Sequence, residues 1–157
     1  LIRFRLVFND RFVFGSGPVA PVAGIYLTAL AILFLFFYRW KNEASGHSAA
    51  WLLVFSGAVG NLIDKLFVKS VATREWVFSP GGPRTGHVSG VVDFVECIWF
   101  GWSQFDGIWG LSWLAWPSWP TFNVADSLIV VGIGLLILTM YTEERRAQQA
   151  SRRKQEA

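Results

Sequence analysis

From Phe12 to Tyr38 the chain carries no Asp, Glu, Lys or Arg. Within that run, PVAPVAGIYLTALAILFLFFY supplies the roughly 20 apolar residues that a helix needs to cross a hydrocarbon core. Lipid offers no partner to backbone N–H and C=O groups, so a segment of this kind is a helix. Two shorter runs have the same character, SAAWLLVFSGAVGNLI from Ser48 and VADSLIVVGIGLLILTMY from Val124. Only 16% of the residues are charged and 53% are hydrophobic, against about 25% charged in an ordinary soluble domain. The expected fold is mainly α, a single polytopic membrane helical bundle over 1–157, with spans at about 18–38, 48–63 and 124–141. Pro18 and Pro21 fit the first turns of the first span, where a missing N–H costs little. Gly57 and Gly60 in the second, and Gly132 and Gly134 in the third, would let helices approach closely.

Arg39 and Lys41 follow the first span, and Arg145, Arg146, Arg152, Arg153 and Lys154 follow the third. Basic residues collect on the cytoplasmic side, which makes 143–157 a cytoplasmic tail and about 64–122 extracytoplasmic. LIRFRLVFNDRF is charged at Arg3, Arg5, Asp10 and Arg11 and begins with Leu rather than Met. A further helix is therefore expected before it, making four with both ends inside. Trp99, Trp102, Trp109, Trp113, Trp116 and Trp119 crowd one part of the outer stretch, as residues of the headgroup layer do. Trp109, Trp113 and Trp116 are spaced for one face of a short interfacial helix ended by PSWP. TREWVF and GVVDFVECIWF read as strands of a small β element, separated by the turn SPGGPRTG. Cys97 is the single cysteine, so no internal disulfide forms and an inert thiol is expected.

Three aspartates stand in apolar company: Asp64 in GNLIDKLF, Asp93 in SGVVDFVE and Asp126 in TFNVADSLIVVG. Carboxylates near lipid are costly and mark proton or ion chemistry when they turn inward. Asn123 and Asp126 could equally be a helix cap and its third-position acid. Asn61 and Asp64 repeat that spacing at the outer end of a helix, where the dipole disfavours an acid, so capping does not account for them. A surface ion pair between Asp64 and Lys65 is the plainer alternative. Asp93 lies on a strand, on the face opposite Val92 and Phe94, and that face is either solvated or functional. Glu96, His87 and Arg84 read as surface residues, and His47 as part of a cytoplasmic turn. No His/Cys ligand cluster, phosphate loop or serine elbow stands out. The basic tail is better explained by topology than by nucleic acid.

Taken in order, GNLIDK (Gly60 to Lys65), VVDF (Val91 to Phe94) and FNVADS (Phe122 to Ser127) resemble motifs of the bacterial lipoprotein signal peptidases. These type II signal peptidases are intramembrane aspartic proteases. The resemblance covers about residues 6 to 142. It implies that Asp93 and Asp126 are the catalytic pair and that Asn61, Asp64, Lys65 and Asn123 surround the substrate. Asn9, in LVFNDRFVFG, would touch substrate at the rim, although Arg11 replaces a glycine of the family's segment. Lys65 stands where the family has arginine, which would exchange a bidentate contact for a single charged donor. The stretch from Lys65 to Asp93 is longer than in the family and implies an inserted hairpin near Pro80 to Pro83.

The implied substrate is a prolipoprotein with a diacylglyceryl cysteine, cut just before that cysteine. Of two carboxyls held together, the charged one takes a proton from water and the neutral one polarises the scissile carbonyl. No cofactor or metal is expected. The implied partners are the prolipoprotein and membrane lipid, with no nucleic acid and a monomeric state, in the bacterial inner membrane with the site near the extracytoplasmic face. The alternative from the residues alone is a small transporter or ion-binding membrane protein using these carboxylates, and a third is a scaffold in which they only cap and pair.

Overall fold

The computed structural model describes residues 1–9, 11–12, 16–18, 21–41, 48–82, 84–98 and 101–155. His47, Trp99, Pro83 and Asp10 lie outside the described residues. Among the described residues, three helices are long and apolar enough to cross a membrane: α1 (Pro21–Lys41), α2 (Ser48–Leu66) and α3 (Val124–Gln155). Their apolar side chains point largely outward; Leu30, Phe34, Val130 and Ile137 are all more than half exposed. A helix that is apolar on its exposed faces is one whose solvent is lipid.

The chain divides into two compact units, one formed by Leu1–Ala29 with Asn61–Asn123 and the other by Leu30–Gly60 with Val124–Ala157. In the second unit α2 and α3 meet through small residues. A Cβ on Gly57 would meet the Ala125 carbonyl and come 2.7 Å from Ile129 Cγ1, and one on Gly132 would come 2.7 Å from Val54 Cγ2. Gly60 faces the Ala125 methyl, whereas Gly134 has nothing within 4 Å. Close packing thus accounts for three of the four glycines expected to serve it. Tyr38, Trp51 and Phe55 form a run of aromatic contacts in this unit, 6.1 Å and then 5.8 Å between ring centroids.

The first unit is built on strands. β1 (Ile2–Asn9) pairs antiparallel with β6 (Val91–Cys97). β2 (Arg11–Phe12) pairs with β3 (Ser16–Pro18), and β4 (Phe67–Lys69) with β5 (Trp76–Phe78). The hairpin expected between Lys65 and Asp93 is β4–β5, in which Phe67 and Phe78 meet edge to face. The chain after Pro117 runs along β6, with bridges Ile98↔Ser118 and Val95↔Phe122. β6 is therefore flanked by β1 and by this irregular segment, whose Pro117 and Pro120 suit an edge better than a central strand.

The interfacial helix expected over Trp109 to Trp116 does not form. Within it only Ser112–Ala115 winds, as a 3-10 turn, and a second 3-10 turn, Ser103–Phe105, precedes it. Gly107 and Gly110 between them have φ of 75° and 79°, a conformation no right-handed helix contains. Trp109 sits between those glycines and is 97% exposed.

Candidate functional site

Asp93 is 1% exposed at the middle of β6. Its solvated alternative is thereby excluded. One carboxylate oxygen, Oδ2, accepts from Asn9 Nδ2 at 2.9 Å. The other, Oδ1, accepts from Asn123 Nδ2 at 2.8 Å. The same Asn123 amide also reaches Asn61 Oδ1, at 3.2 Å. The two amides come from the two flanks of the strand. Asn9 ends β1, and Asn123 follows Phe122, whose N–H and C=O both bond Val95.

A bulge in β1 makes the first of these contacts possible. Arg3 faces Glu96 and Phe4 faces Val95, but Val7 then faces Asp93, so β1 spends one more residue than β6 between these points. Side chains alternate faces along a strand, so an unbulged register would set Asn9 opposite position 90 and turn it away from Asp93. The extra residue restores Val7 and Asn9 to the face of Asp93 while leaving Arg3 on the face of Glu96.

Glu96 is buried, 5% exposed, and is not the surface residue its sequence context implied. It accepts from Arg3 Nε at 2.8 Å and from Ser118 Oγ at 3.2 Å. The Arg3 hydrogen bond is the main cause that holds its carboxyl below the usual 4.5, with burial opposing and Ser118, the Arg3 charge and the Arg5 charge assisting.

At the end of α2, Asp64 Oδ2 accepts the N–H of Val92 at 3.0 Å. The cation beside it is Lys69, with Nζ 3.5 Å from Oδ1, and Lys65 instead donates to Thr28 Oγ1 at 2.8 Å. Lys69 also donates to the main-chain carbonyl of Asp64, one of the last carbonyls of the helix, which answers a position where the dipole disfavours an acid. Burial lowers the Lys69 ammonium from its usual 10.5, and Asp64 acts against that shift. Asp126 lies in the first turn of α3, in the second unit, and is half-buried.

Four of the residues singled out in sequence, Asn9, Asn61, Asp93 and Asn123, thus form one hydrogen-bonded cluster, and Asp64 holds the backbone one residue from it. Lys69 was not singled out, because its role depends on a hairpin whose pairing is not written in local pattern. Among the described residues no group of three His, Cys, Asp or Glu could hold a metal ion. The arrangement suits proton chemistry at an oriented, buried carboxylate.

Residues 1–142 match the model of a family described as signal peptidase (SPase) II. A lipoprotein signal peptidase of Leptospira biflexa is 39% identical over 143 residues, which cover 90% of this chain and 70% of the relative. That of Borreliella burgdorferi is 32% identical over 138 residues, 86% of this chain and 64% of its own. That of Geobacter sulfurreducens is 32% identical over 124 residues, 78% and 54% of the two chains. A solved bacterial membrane enzyme, 21% identical, superposes with a TM-score of 0.58 over 91% of this chain and 67% of that one. At that identity the superposition bears on the fold alone.

Proposed function

The chain belongs to the signal peptidase II family, and from that premise we propose that Asp93 and Asp126 are the aspartates with which it removes signal peptides from prolipoproteins. It is a multi-pass membrane protein and an aspartic peptidase. The observation that carries the assignment of Asp93 is its burial, 1% exposed, with an amide on each carboxylate oxygen. A carboxylate so enclosed and so oriented is expensive to build, and a reaction that needs it gives the reason for building it. Asp126 is supported by its place three residues after Asn123, which itself bonds Asp93.

The proposed reaction adds water to the scissile carbonyl. The ionised carboxylate takes a proton from the water as its oxygen attacks, and the neutral carboxyl gives its proton to the carbonyl oxygen. Collapse of the tetrahedral adduct breaks the C–N bond and returns a proton to the leaving amine, the new N-terminus of the lipid-bearing cysteine. Asn9 and Asn123 orient Asp93, while Asn61, Asp64 and Lys65 complete the polar surround of the substrate. A diacylglyceryl substrate suits this placement. Its acyl chains stay in lipid while the peptide bond reaches the outer interface, where water is available. The site is assigned to the extracytoplasmic side of the bacterial inner membrane and the working state to a monomer.

The test is cleavage of a diacylglyceryl prolipoprotein by the purified chain in lipid. Asp93→Asn and Asp126→Asn should each lower kcat by about a thousandfold or more with the protein still folded. Cleavage at the parent rate by either variant would remove that residue from the mechanism.

A further inference from the structure

A buried ammonium is costly, and a hairpin as small as β4–β5 could fill the same place with an apolar side chain. Lys69 is nevertheless only 2% exposed. Its Nζ donates to the main-chain carbonyls of Asp64 and of Gly90, the latter at 2.7 Å, and lies 5.1 Å from the centre of the Trp76 ring. Its own N–H and C=O both bond Val88, each at 2.8 Å. Its ion-pair partner Asp64 takes the N–H of Val92. Val88, Gly90 and Val92 lie along the short run that leads into Asp93, which bends at Gly90 (φ 110°) before β6 begins at Val91. All three are held by Lys69 or by the carboxylate that Lys69 neutralises.

We propose that Lys69 is a positioning residue for the peptidase reaction, fixing the approach of β6 to Asp93 and cancelling the charge of Asp64 beside it. The inference rests on the assignment of Asp93 to the reaction centre. Asp64 grips the residue before Asp93, so an uncompensated Asp64 carboxylate would oppose ionisation of the catalytic pair, as a nearby like charge does. The other charged or titratable groups here do not replace Lys69. Lys65 is engaged with Thr28, and the His87 imidazole, next to Val88, faces the Thr85 carbonyl at 3.1 Å.

The experiment measures kcat and KM against pH on a diacylglyceryl prolipoprotein in lipid nanodiscs for the parent, Lys69→Gln, Lys69→Arg and Asp64→Asn. Lys69→Gln keeps a donor for the Gly90 carbonyl but no charge. Its kcat should fall on the order of tenfold with KM little changed, and its acid limb should move up by roughly half to one pH unit. Lys69→Arg should keep the parent's acid limb, and Asp64→Asn should move it down. A folded Lys69→Gln with the parent's acid limb and kcat would overturn the proposal. Should that variant not fold, an unmoved acid limb in Asp64→Asn would do the same. Asp93→Asn, run alongside, separates the two readings: activity in that variant defeats the catalytic assignment, whereas its silence with an unshifted Lys69→Gln profile defeats only the role of Lys69.

Discussion

Asp93 and Glu96 are three residues apart in one strand and both are buried, yet their surroundings differ in kind. Asn9 and Asn123 orient Asp93 without bringing a charge, while Arg3 brings a cation to Glu96 and Arg5 stands 3.9 Å away. The second arrangement fixes strand pairing and has a consequence in pH. Because Arg3 holds the folded Glu96 carboxyl below 4.5, its ionised form stabilises the folded chain above that value. The contribution is lost as pH falls from 4.5 through the lowered folded value. Amide exchange in β1 should therefore quicken as pH drops through this window, after correction for intrinsic exchange, and Arg3→Ala should flatten the dependence. A β1 exchange profile indifferent to Arg3→Ala would show that the pair does not hold the strand. Asp93 was legible in sequence because a carboxylate between Val92 and Phe94 has few cheap explanations. Lys69 was not, since a basic residue a few positions past a membrane span reads as an ordinary interfacial charge.

Elements divide along the same line between local and distant causes. The three spans follow from uncharged length, but α3 continues as helix through the charged residues to Gln155, and α1 starts at Pro21 rather than about residue 18. β6 follows from its β-branched run, but β1 escaped notice: Arg3 and Arg5 argue against a membrane span, and the bulge near them interrupts the alternation that would have revealed a strand. The tryptophan segment misled through spacing that fits a helix, while Gly107 and Gly110 break it. Among the glycines, sequence marks small residues on membrane helices but cannot say which face is in contact. Gly57 and Gly134 make the distinction measurable. Gly57→Ala places a methyl against the Ala125 carbonyl and Ile129 and should destabilise the chain by about 1–3 kcal/mol. Gly134→Ala meets nothing within 4 Å and should be neutral or stabilising by up to about 1 kcal/mol. Thermal unfolding of both variants in the same detergent checks this, and equal effects would mean that the α2–α3 contact does not depend on Gly57.

Across the whole molecule, the arrangement of charge sets which way the chain lies in its membrane. α3 has 32 residues, about 48 Å at 1.5 Å per residue, against a hydrocarbon core of about 30 Å. Its start, with Asp126, and its arginine-bearing end therefore fall on opposite sides of the core. In the proposed orientation Arg145, Arg146, Arg152 and Arg153 share the cytoplasmic side with Arg39 and Lys41 at the end of α1, as the preference of basic residues for that side favours. In the same proposed orientation the aromatic segment belongs to the other side. From Ile98 to Trp119 its one charged residue is Asp106, and Trp102, Trp109 and Trp116 are exposed, a composition suited to the headgroup layer. In a Cys97→Ser background, a cysteine at Ser103 should react with a membrane-impermeant maleimide in intact spheroplasts, and one at Ser151 only after permeabilisation. Both positions are exposed, so failure to label would not come from burial within the chain. The reverse pattern would put the proposed catalytic aspartates on the cytoplasmic side, away from the surface where an exported prolipoprotein presents its cleavage site, and the orientation argued from charge would have to be abandoned.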